Sequence, residues 1–290
     1  MNDKEEQYAF IHAYSTQYPV IKLVEITKVS RSGYYKWLKR NGNNNQDRID
    51  ESLFLYIHKI FTDHRGTVGR KRIKLLLKKE YGLIVNEKRI SRIMRKYGIQ
   101  CKIRRKRFKN RPQPNGIITN ILDRNFHAIR PGIKLAIDIT YIEVKKSFQK
   151  WIYLCAIKDL YNGEIVAYSI GTNQGMKLVY RALDDLKKRG FEKRAILHSD
   201  QGTQFTNHRY MKRLQDMGIT QSMSRRGNCW DNACIENFFG HLKCEMLCFS
   251  QPETVIEVRQ AVEAYINYYN NKRIQTKLEM SPVEYRTQVA

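Results

Sequence analysis

Apolar positions recur with two different periods along this chain, and the change of period divides it. Up to about residue 100 the spacing is helical. Val20, Leu23, Val24 and Ile26 follow Pro19 and predict a helix that breaks at Thr27–Val29. Ser30 then caps a second helix, with Tyr34, Tyr35, Trp37 and Leu38 on one face. Two short helices joined by a tight turn predict a helix-turn-helix. The polar run from Asn41 to Gln46 reads as a linker. Ile57, Ile60 and Phe61 close another helix, and His64 to Gly69 is a turn. Lys71 to Glu80 follows as a helix with Ile73, Leu76 and Leu77 inward, stopped by Gly82 as its C-cap. Asn86 caps a helix over residues 87–97, with Ile90, Ile93 and Met94 inward and Lys88, Arg89, Arg92 and Arg95 outward.

From about Phe126 the period shortens to that of strands. Lys134 to Val144 (KLAIDITYIEV) alternates and is rich in β-branched residues. Trp151 to Ile157 and Glu164 to Ile170 are two further strands, the second reached through a turn at Asn162–Gly163. Helix and strand then alternate: a helix at 174–189, a strand at 195–198, a helix at 207–217, a strand at 218–222, and helices at 231–247 and 253–269. The predicted architecture is α/β, a mixed sheet flanked by helices and preceded by small all-α modules. The expected division is a helical module at 1–45, a second at 46–100, a linker at 101–125, an α/β core at 126–250 and a helical extension at 251–290.

Charge changes the picture. The chain carries 53 Lys and Arg against 28 Asp and Glu, a net of +25. Residues 1–130 hold 30 of those cations against 11 acids, so a net of +19 sits in the first half. Such an asymmetry points to a polyanion bound mainly by the N-terminal part, and double-stranded DNA fits the helical modules. Arg72, Arg89, Arg92 and Arg95 are expected to face phosphates and base edges. The run KIRRKRFK, including Arg104, Arg105, Lys106 and Arg107, is expected to track the DNA backbone or minor groove as an extended linker. No apolar run spans a membrane and the N-terminus lacks a signal stretch, so a cytoplasmic, nucleoid-associated protein is expected. Six cysteines form no CxxC pair, and their spacing does not suit zinc knuckles.

Three acidic residues stand out by position. Asp138 lies mid-strand between Ile137 and Ile139, where a charge without a partner is costly. Asp200 lies where an apolar strand runs out into Gln201–Gly202, and Glu236 lies on a helix between Ile235 and Phe238–Phe239. Carboxylates in apolar contexts on separate elements suit a shared hard cation, and Mg²⁺ prefers carboxylate oxygen and water to thiol or imidazole. Asp159, Glu143, Asp231 and Glu245 are rivals on the same reasoning. Asp231 has a bland alternative as a helix cap and Asp159 as a strand-end structural acid.

Four segments carry a resemblance. They are LAIDITYI at 135–142, LHSDQGTQF at 197–205, SMSRRGNCWDNACIENFFGHLKCE at 222–245 and YYNNKRIQTKLEMSPVEYR at 268–286. With 61 residues between Asp138 and Asp200 and 35 between Asp200 and Glu236, the chain resembles the DDE transposases of the bacterial IS-three insertion-sequence family, second reading frame, which are similar to retroviral integrases. The resemblance spans nearly the whole chain. It implies an RNase H-like core, Asp138, Asp200 and Glu236 as catalytic and metal-binding residues, and two Mg²⁺ (or Mn²⁺) ions per site. It also implies cleavage at element ends, joining of the 3′ end to other DNA, and a homo-oligomer on DNA. The chain starts without the leucine-zipper helix of the first reading frame, so fusion to, or pairing with, the upstream product is expected. Gln275 stands where this family often has a histidine, which weakens any role for an imidazole there.

Lys243 follows Glu236 by seven residues on the same helix face and is expected at DNA phosphate beside the triad. Arg225, Arg226 and Asn228 form a cationic loop ahead of that helix and are expected to grip DNA. His198, two residues before Asp200, and Asn232, four before Glu236, are expected to support the acids from behind. Two other classes remain open at this stage. A non-catalytic DNA-binding regulator would show metal-independent binding without cleavage. An RNase H-like nuclease would hydrolyse without joining.

Overall fold

A computed structural model of the chain describes residues 4–41, 44–102, 120–123, 125–224 and 232–289. Among them are six helices ahead of the sheet: α1 (Lys4–Tyr14), α2 (Val20–Thr27), α3 (Arg31–Asn41), α4 (Asn44–Asp63), α5 (Arg70–Tyr81) and α6 (Glu87–Lys96). Strands β1 (Lys134–Glu143), β2 (Trp151–Asp159) and β3 (Ile165–Gly171) follow. The chain continues through α7 (Met176–Arg189), β4 (Ile196–Ser199), α8 (His208–Asp216) and β5 (Thr220–Met223). It closes with α9 (Ala233–Phe249), α10 (Val255–Asn271) and α11 (Pro282–Val289). None of the described helices is long and apolar enough to cross a membrane.

Two compact units emerge from these elements: residues 1–59 with 91–99, and residues 60–90 with 100–290. In the first, Ile11, Leu23, Val24 and Tyr34 form a small core, with Tyr8, Trp37 and Leu38 packed on it. The expected turn between α2 and α3 is made by Lys28 in the left-handed region (φ 58°). Ser30 Oγ accepts the Gly33 N–H at 3.1 Å, capping α3 as its position predicts. Helix α1 was not anticipated. Only Ile11 is buried along it, so its apolar period is faint. The stretch expected as a linker also shortens, because α3 runs to Asn41 and α4 already begins at Asn44. Lower in the unit, Phe54 stacks on Tyr97 at 3.9 Å between ring centroids, and Arg92 pairs with the buried Asp50.

The second unit is built on a five-stranded mixed sheet in the order β3-β2-β1-β4-β5. β1, β2 and β3 are antiparallel neighbours, while β4 runs parallel to β1 and β5 parallel to β4. The strands alternate as the period-2 pattern requires and bury both faces. Ala136, Ile142, Leu154 and Ala156 pack with Ile235 and Phe238 of α9 and Val262 and Tyr265 of α10. On the other face Leu135, Ile137, Cys155 and Ile157 pack with Val179 and Leu183 of α7 and Tyr210 and Leu214 of α8. This is the RNase H-like sheet flanked by helices, and α10 is part of its core rather than an appendage.

Residues 60–90 belong to the same unit. His64 Nδ1 lies 3.0 Å from Tyr268 Oη, and Arg65 lies over the Phe249 ring at 5.0 Å. Helix α5 ends at Gly82 in the left-handed region (φ +66°), with its N–H on Lys78 O at 3.1 Å, as the sequence predicts. Helix α11 was not predicted, although Ser281, Pro282 and Glu284 carry the spacing of a capped helix start.

Helix α10 opens on a full capping box. Thr254 Oγ1 accepts the Glu257 N–H at 3.3 Å, and Glu257 Oε2 accepts the Thr254 N–H at 3.3 Å. Thr254→Ala is expected to cost about 1 kcal/mol. Urea unfolding should show a lower midpoint at unchanged slope. An unmoved midpoint would mean the box contributes nothing to this unit.

Candidate active site

In the sheet order, β1 continues through β2 and β3 to one side, and the chain then returns as β4 and β5 on the other. Ligands of open α/β sheets lie outside the carboxyl ends of strands at such a switch. β4 accompanies β1 only from Lys134 to Ala136. Asp138 is therefore the residue at which the two parallel strands have parted. Asp200 directly follows the carboxyl end of β4, and Glu236 lies in the first turn of α9. The α9 backbone dipole favours a negative charge there.

Asp138 is half-buried and accepts the Ile139 N–H on Oδ1 at 2.7 Å. Its carboxyl is pushed up to about 8, first by burial, then by the charges of Asp200 and Glu236, against the pull of the Ile139 N–H and Lys243. Glu236 is raised as well, by burial and by Asp200. Asp200 is exposed and accepts the Gly202 N–H on Oδ1 at 2.9 Å. A Cβ built on Gly202 would stand 3.0 Å from that oxygen, so a larger residue there would crowd the Asp200 carboxylate. The three acids lie within electrostatic reach of one another. Among the described residues no three His, Cys, Asp or Glu side chains are gathered closely enough to cage a metal ion. The donor set nonetheless fits a hard divalent cation: it is all oxygen, and neighbouring carboxylate charge adds to burial in raising Asp138 and Glu236.

Lys243 points back along α9 toward the same place. Its Nζ lies 4.5 Å from the Tyr141 ring centroid, and its charge is felt at Asp138. His198 is fully buried, and its Nδ1 is 2.9 Å from Ser222 Oγ in the adjoining strand β5. Ser222 Oγ also accepts the N–H groups of Ile121 and Leu122 at 3.1 and 3.2 Å. This hydrogen bond ties His198 to a structural joint of the sheet. Asn232 is buried at the start of α9 without capping it, and neither its Oδ1 nor its Nδ2 meets a hydrogen-bond partner among the described residues.

The basic residues divide. Arg95 is exposed, Arg89 is half-buried, and Arg92, though 57% exposed, is tied to Asp50. Arg72 corrects the expectation of an outward cation. Its side chain is 18% exposed and turns inward to within 3.6 Å of Glu245, because that buried carboxylate is the stronger attraction. Arg104, Arg105, Lys106 and Arg107 lie outside the described residues, as do Arg225, Arg226, Asn228 and the rival acid Asp231.

The other rival acids have structural work. Glu245 is fully buried and takes a two-pronged pair from Arg273, at 2.8 and 2.7 Å, and the Tyr265 hydroxyl at 3.0 Å. Asp159 accepts the N–H groups of Gly132 and Tyr161 at 2.7 and 2.9 Å, fixing the turn after β2. Glu143 is exposed at the end of β1. Sequence reasoning missed Arg273 and Glu164. The latter is buried and accepts from Arg189 and Arg286. Arg273 lies inside the segment at 268–286, but its partner Glu245 ends a different one, and Glu164 likewise pairs with Arg189 and Arg286 across the chain, so no local pattern announces either pairing.

Integrase core domain families match residues 128–229 and 236–289, and an HTH-like domain family matches residues 48–107. The chain is 36% identical over 274 residues to the putative transposase InsK for insertion sequence element IS150 of Escherichia coli (strain K12), covering 93% of this chain and 94% of that one. It is 33% identical over 270 residues to the insertion element IS600 uncharacterized 31 kDa protein of Shigella sonnei, covering 91% and 97%. The solved HTLV-2 integrase catalytic core domain in complex with magnesium aligns at a TM-score of 0.43 and 13% identity, over 55% of this chain and 98% of that one.

Proposed function

We propose, for a chain that belongs to the insertion-sequence transposases carrying an integrase core domain, that it cuts DNA at the element's ends and joins the freed 3′ end to another phosphodiester. The observation that supports this reading is the convergence of Asp138, Asp200 and Glu236 where β1 and β4 part, each within reach of the others' charge. Asp138 lies on a strand, Asp200 at the exit of one and Glu236 on a helix, so the constellation is built on regular elements. These three carboxylates would hold the divalent metal, Mg²⁺ or Mn²⁺, as two ions. When bound, the metal polarises the phosphodiester and eases deprotonation of the attacking oxygen.

The chain's own groups do the remainder. Asp138, Asp200 and Glu236, which lie within reach of one another's charge, would present their oxygens to the phosphodiester at one point. Lys243 sets a positive charge beside that point, where it meets a phosphate. In the first reaction water opens the phosphodiester and leaves a 3′ hydroxyl. In the second, that 3′ oxygen attacks a phosphorus of the target strand, whose bond to the target's own 3′ oxygen breaks and leaves a target 3′ hydroxyl, so the number of phosphodiesters is conserved. The helical region at 46–100, the cationic stretch at 101–125 and the module at 1–45 would hold the duplex, at element ends and at the target. Two ends must meet, so the active assembly is at least a dimer on DNA, and the upstream frame's product joins it by fusion or pairing.

A labelled-end assay in Mg²⁺, Mn²⁺ and EDTA tests the reading. Joined products are expected with either metal and none with EDTA. Duplex binding without cleavage under any metal, also in fusion with the upstream product, would replace the enzyme by a DNA-binding regulator. Hydrolysis without joining would replace it by a nuclease.

A further inference from the structure

Tyr141 and Trp151 belong to neither hydrophobic cluster of the sheet. Tyr141 is 55% exposed, three residues beyond Asp138 on β1, and Trp151 opens β2 half-exposed. Their rings meet edge to face, with centroids 5.0 Å apart and planes at 85°. A cation flanks each ring: Lys243 Nζ at 4.5 Å from the Tyr141 centroid and Lys150 Nζ at 5.9 Å from that of Trp151. Cations over aromatic faces form a row that runs Lys243, Tyr141, Trp151, Lys150.

The row sits on a braced scaffold. Gln149 Nε2 donates to Trp151 O at 2.7 Å and to Thr172 O at 2.8 Å, tying the β1–β2 hairpin to the end of β3. The hairpin also carries Lys145, Lys146 and a fully exposed Phe148, with Lys146 paired to Glu253. Glu143 is the exposed acid of the strand ends. Exposed rings on a stiff hairpin lose nothing to ordering when they meet a flat apolar partner.

We propose that this row is a stacking site for unpaired bases of a DNA single strand beside the active site, an inference that rests on the reading of the chain as a DNA-joining enzyme. Every base offers a π-face, and a duplex offers none to a side chain from outside. Sequence-tolerant single-strand sites combine stacking rings with cations along the backbone. The row begins at the lysine whose charge reaches Asp138, so it would lead a strand toward the triad. A protein partner would need acidic groups to match the lysines and would have no reason to abut the triad.

The test uses the full chain in EDTA, so that no chemistry intervenes, with a fluorescein-labelled ten-residue oligothymidylate and a duplex of the same length. Tyr141→Ala is expected to weaken single-strand binding on the order of tenfold. Tyr141→Phe should bind as wild type, and neither variant should change duplex binding or the thermal midpoint. Single-strand binding by Tyr141→Ala equal to wild type would overturn the site, and so would equal losses on single strand and duplex. Metal-dependent joining by wild type is measured alongside. If joining is absent but single-strand binding needs Tyr141, the enzyme reading fails and the stacking site stands. If wild type joins and Tyr141→Ala binds and joins equally well, the stacking site alone fails.

Discussion

Asp138→Asn is expected to reduce end cleavage and joining by about three orders of magnitude or more, while making the metal-free protein more stable. The loss follows from the proposed role. Divalent-metal assistance at phosphorus amounts to several kcal/mol of transition-state stabilisation, and each 1.4 kcal/mol is about tenfold. An amide keeps the shape of Asp138 and removes the charge that holds a cation. The gain in stability follows from the same burial. The folded carboxyl is pushed up to about 8, whereas in the unfolded chain it titrates near its ordinary value of 3.8. Between those values the unfolded chain sheds a proton that the folded state retains. Stability is therefore lost progressively as pH rises from about 4 to about 8, and it is complete only below that window.

Asparagine has nothing to titrate, so the variant escapes this loss. At pH 7 the difference is expected to be on the order of a few kcal/mol, which corresponds to a rise in Tm of roughly 5 °C or more. Differential scanning calorimetry in EDTA at pH 5 and pH 8 checks it: the two proteins should differ more at pH 8. Adding Mg²⁺ or Mn²⁺ should raise the Tm of wild type and leave the variant little changed, since a ligand stabilises only the state that binds it. Equal Tm values at both pH values would remove the buried-charge account, and joining retained by Asp138→Asn would remove the catalytic one.

Much of this site was legible because its residues sit at places where the local pattern is self-contradictory. An aspartate in the middle of KLAIDITYIEV has no favourable explanation in an ordinary strand, and the structure puts it where β1 loses its parallel neighbour. Gly82, Ser30 and Asn86 announce helix ends by chemistry acting over three or four residues, and their helices end or begin there. Asn86 Oδ1 accepts the Lys88 N–H at 2.8 Å, as a helix cap should. What the sequence hid was pairing across distance. Nothing near Arg72 reveals that it will turn inward to a glutamate 173 positions away. A basic helix shows its cations, and only the fold decides which of them are taken. Helix α1 was hidden for a different reason, since one buried isoleucine leaves no period to read.

Glu245→Gln should be the most destabilising conservative change in the second unit, at roughly 3–5 kcal/mol. Glu245 is fully buried and Arg273 is 2% exposed. Two hydrogen bonds at 2.8 and 2.7 Å join them, the Tyr265 hydroxyl donates at 3.0 Å, and Arg72 approaches to 3.6 Å. Burial alone would raise the Glu245 carboxyl, yet the Arg273 hydrogen bonds and charge, joined by Arg72, hold it below its usual range. His241, 3.7 Å away, is driven down to about 4 by burial and by Arg273, so it adds no charge at neutral pH. With glutamine at 245, the Arg273 guanidinium keeps its burial and loses its counterion, and Arg72 is left beside it as a like charge. A wholly apolar replacement behaves differently, because a buried ion pair contributes little over well-packed hydrophobic side chains. Glu245→Met with Arg273→Leu should therefore fall well short of the sum of the two single losses. The network also links α5, α9 and the segment after α10, and Glu245 lies nine residues beyond Glu236 on α9. Loosening that anchor should lower joining at temperatures where the variant remains folded. Urea unfolding of the two single variants and the double variant decides it. A Glu245→Gln midpoint equal to wild type would show that solvent reaches the Arg273 charge, and the double variant matching the sum of the singles would show that the two groups do not act as a pair.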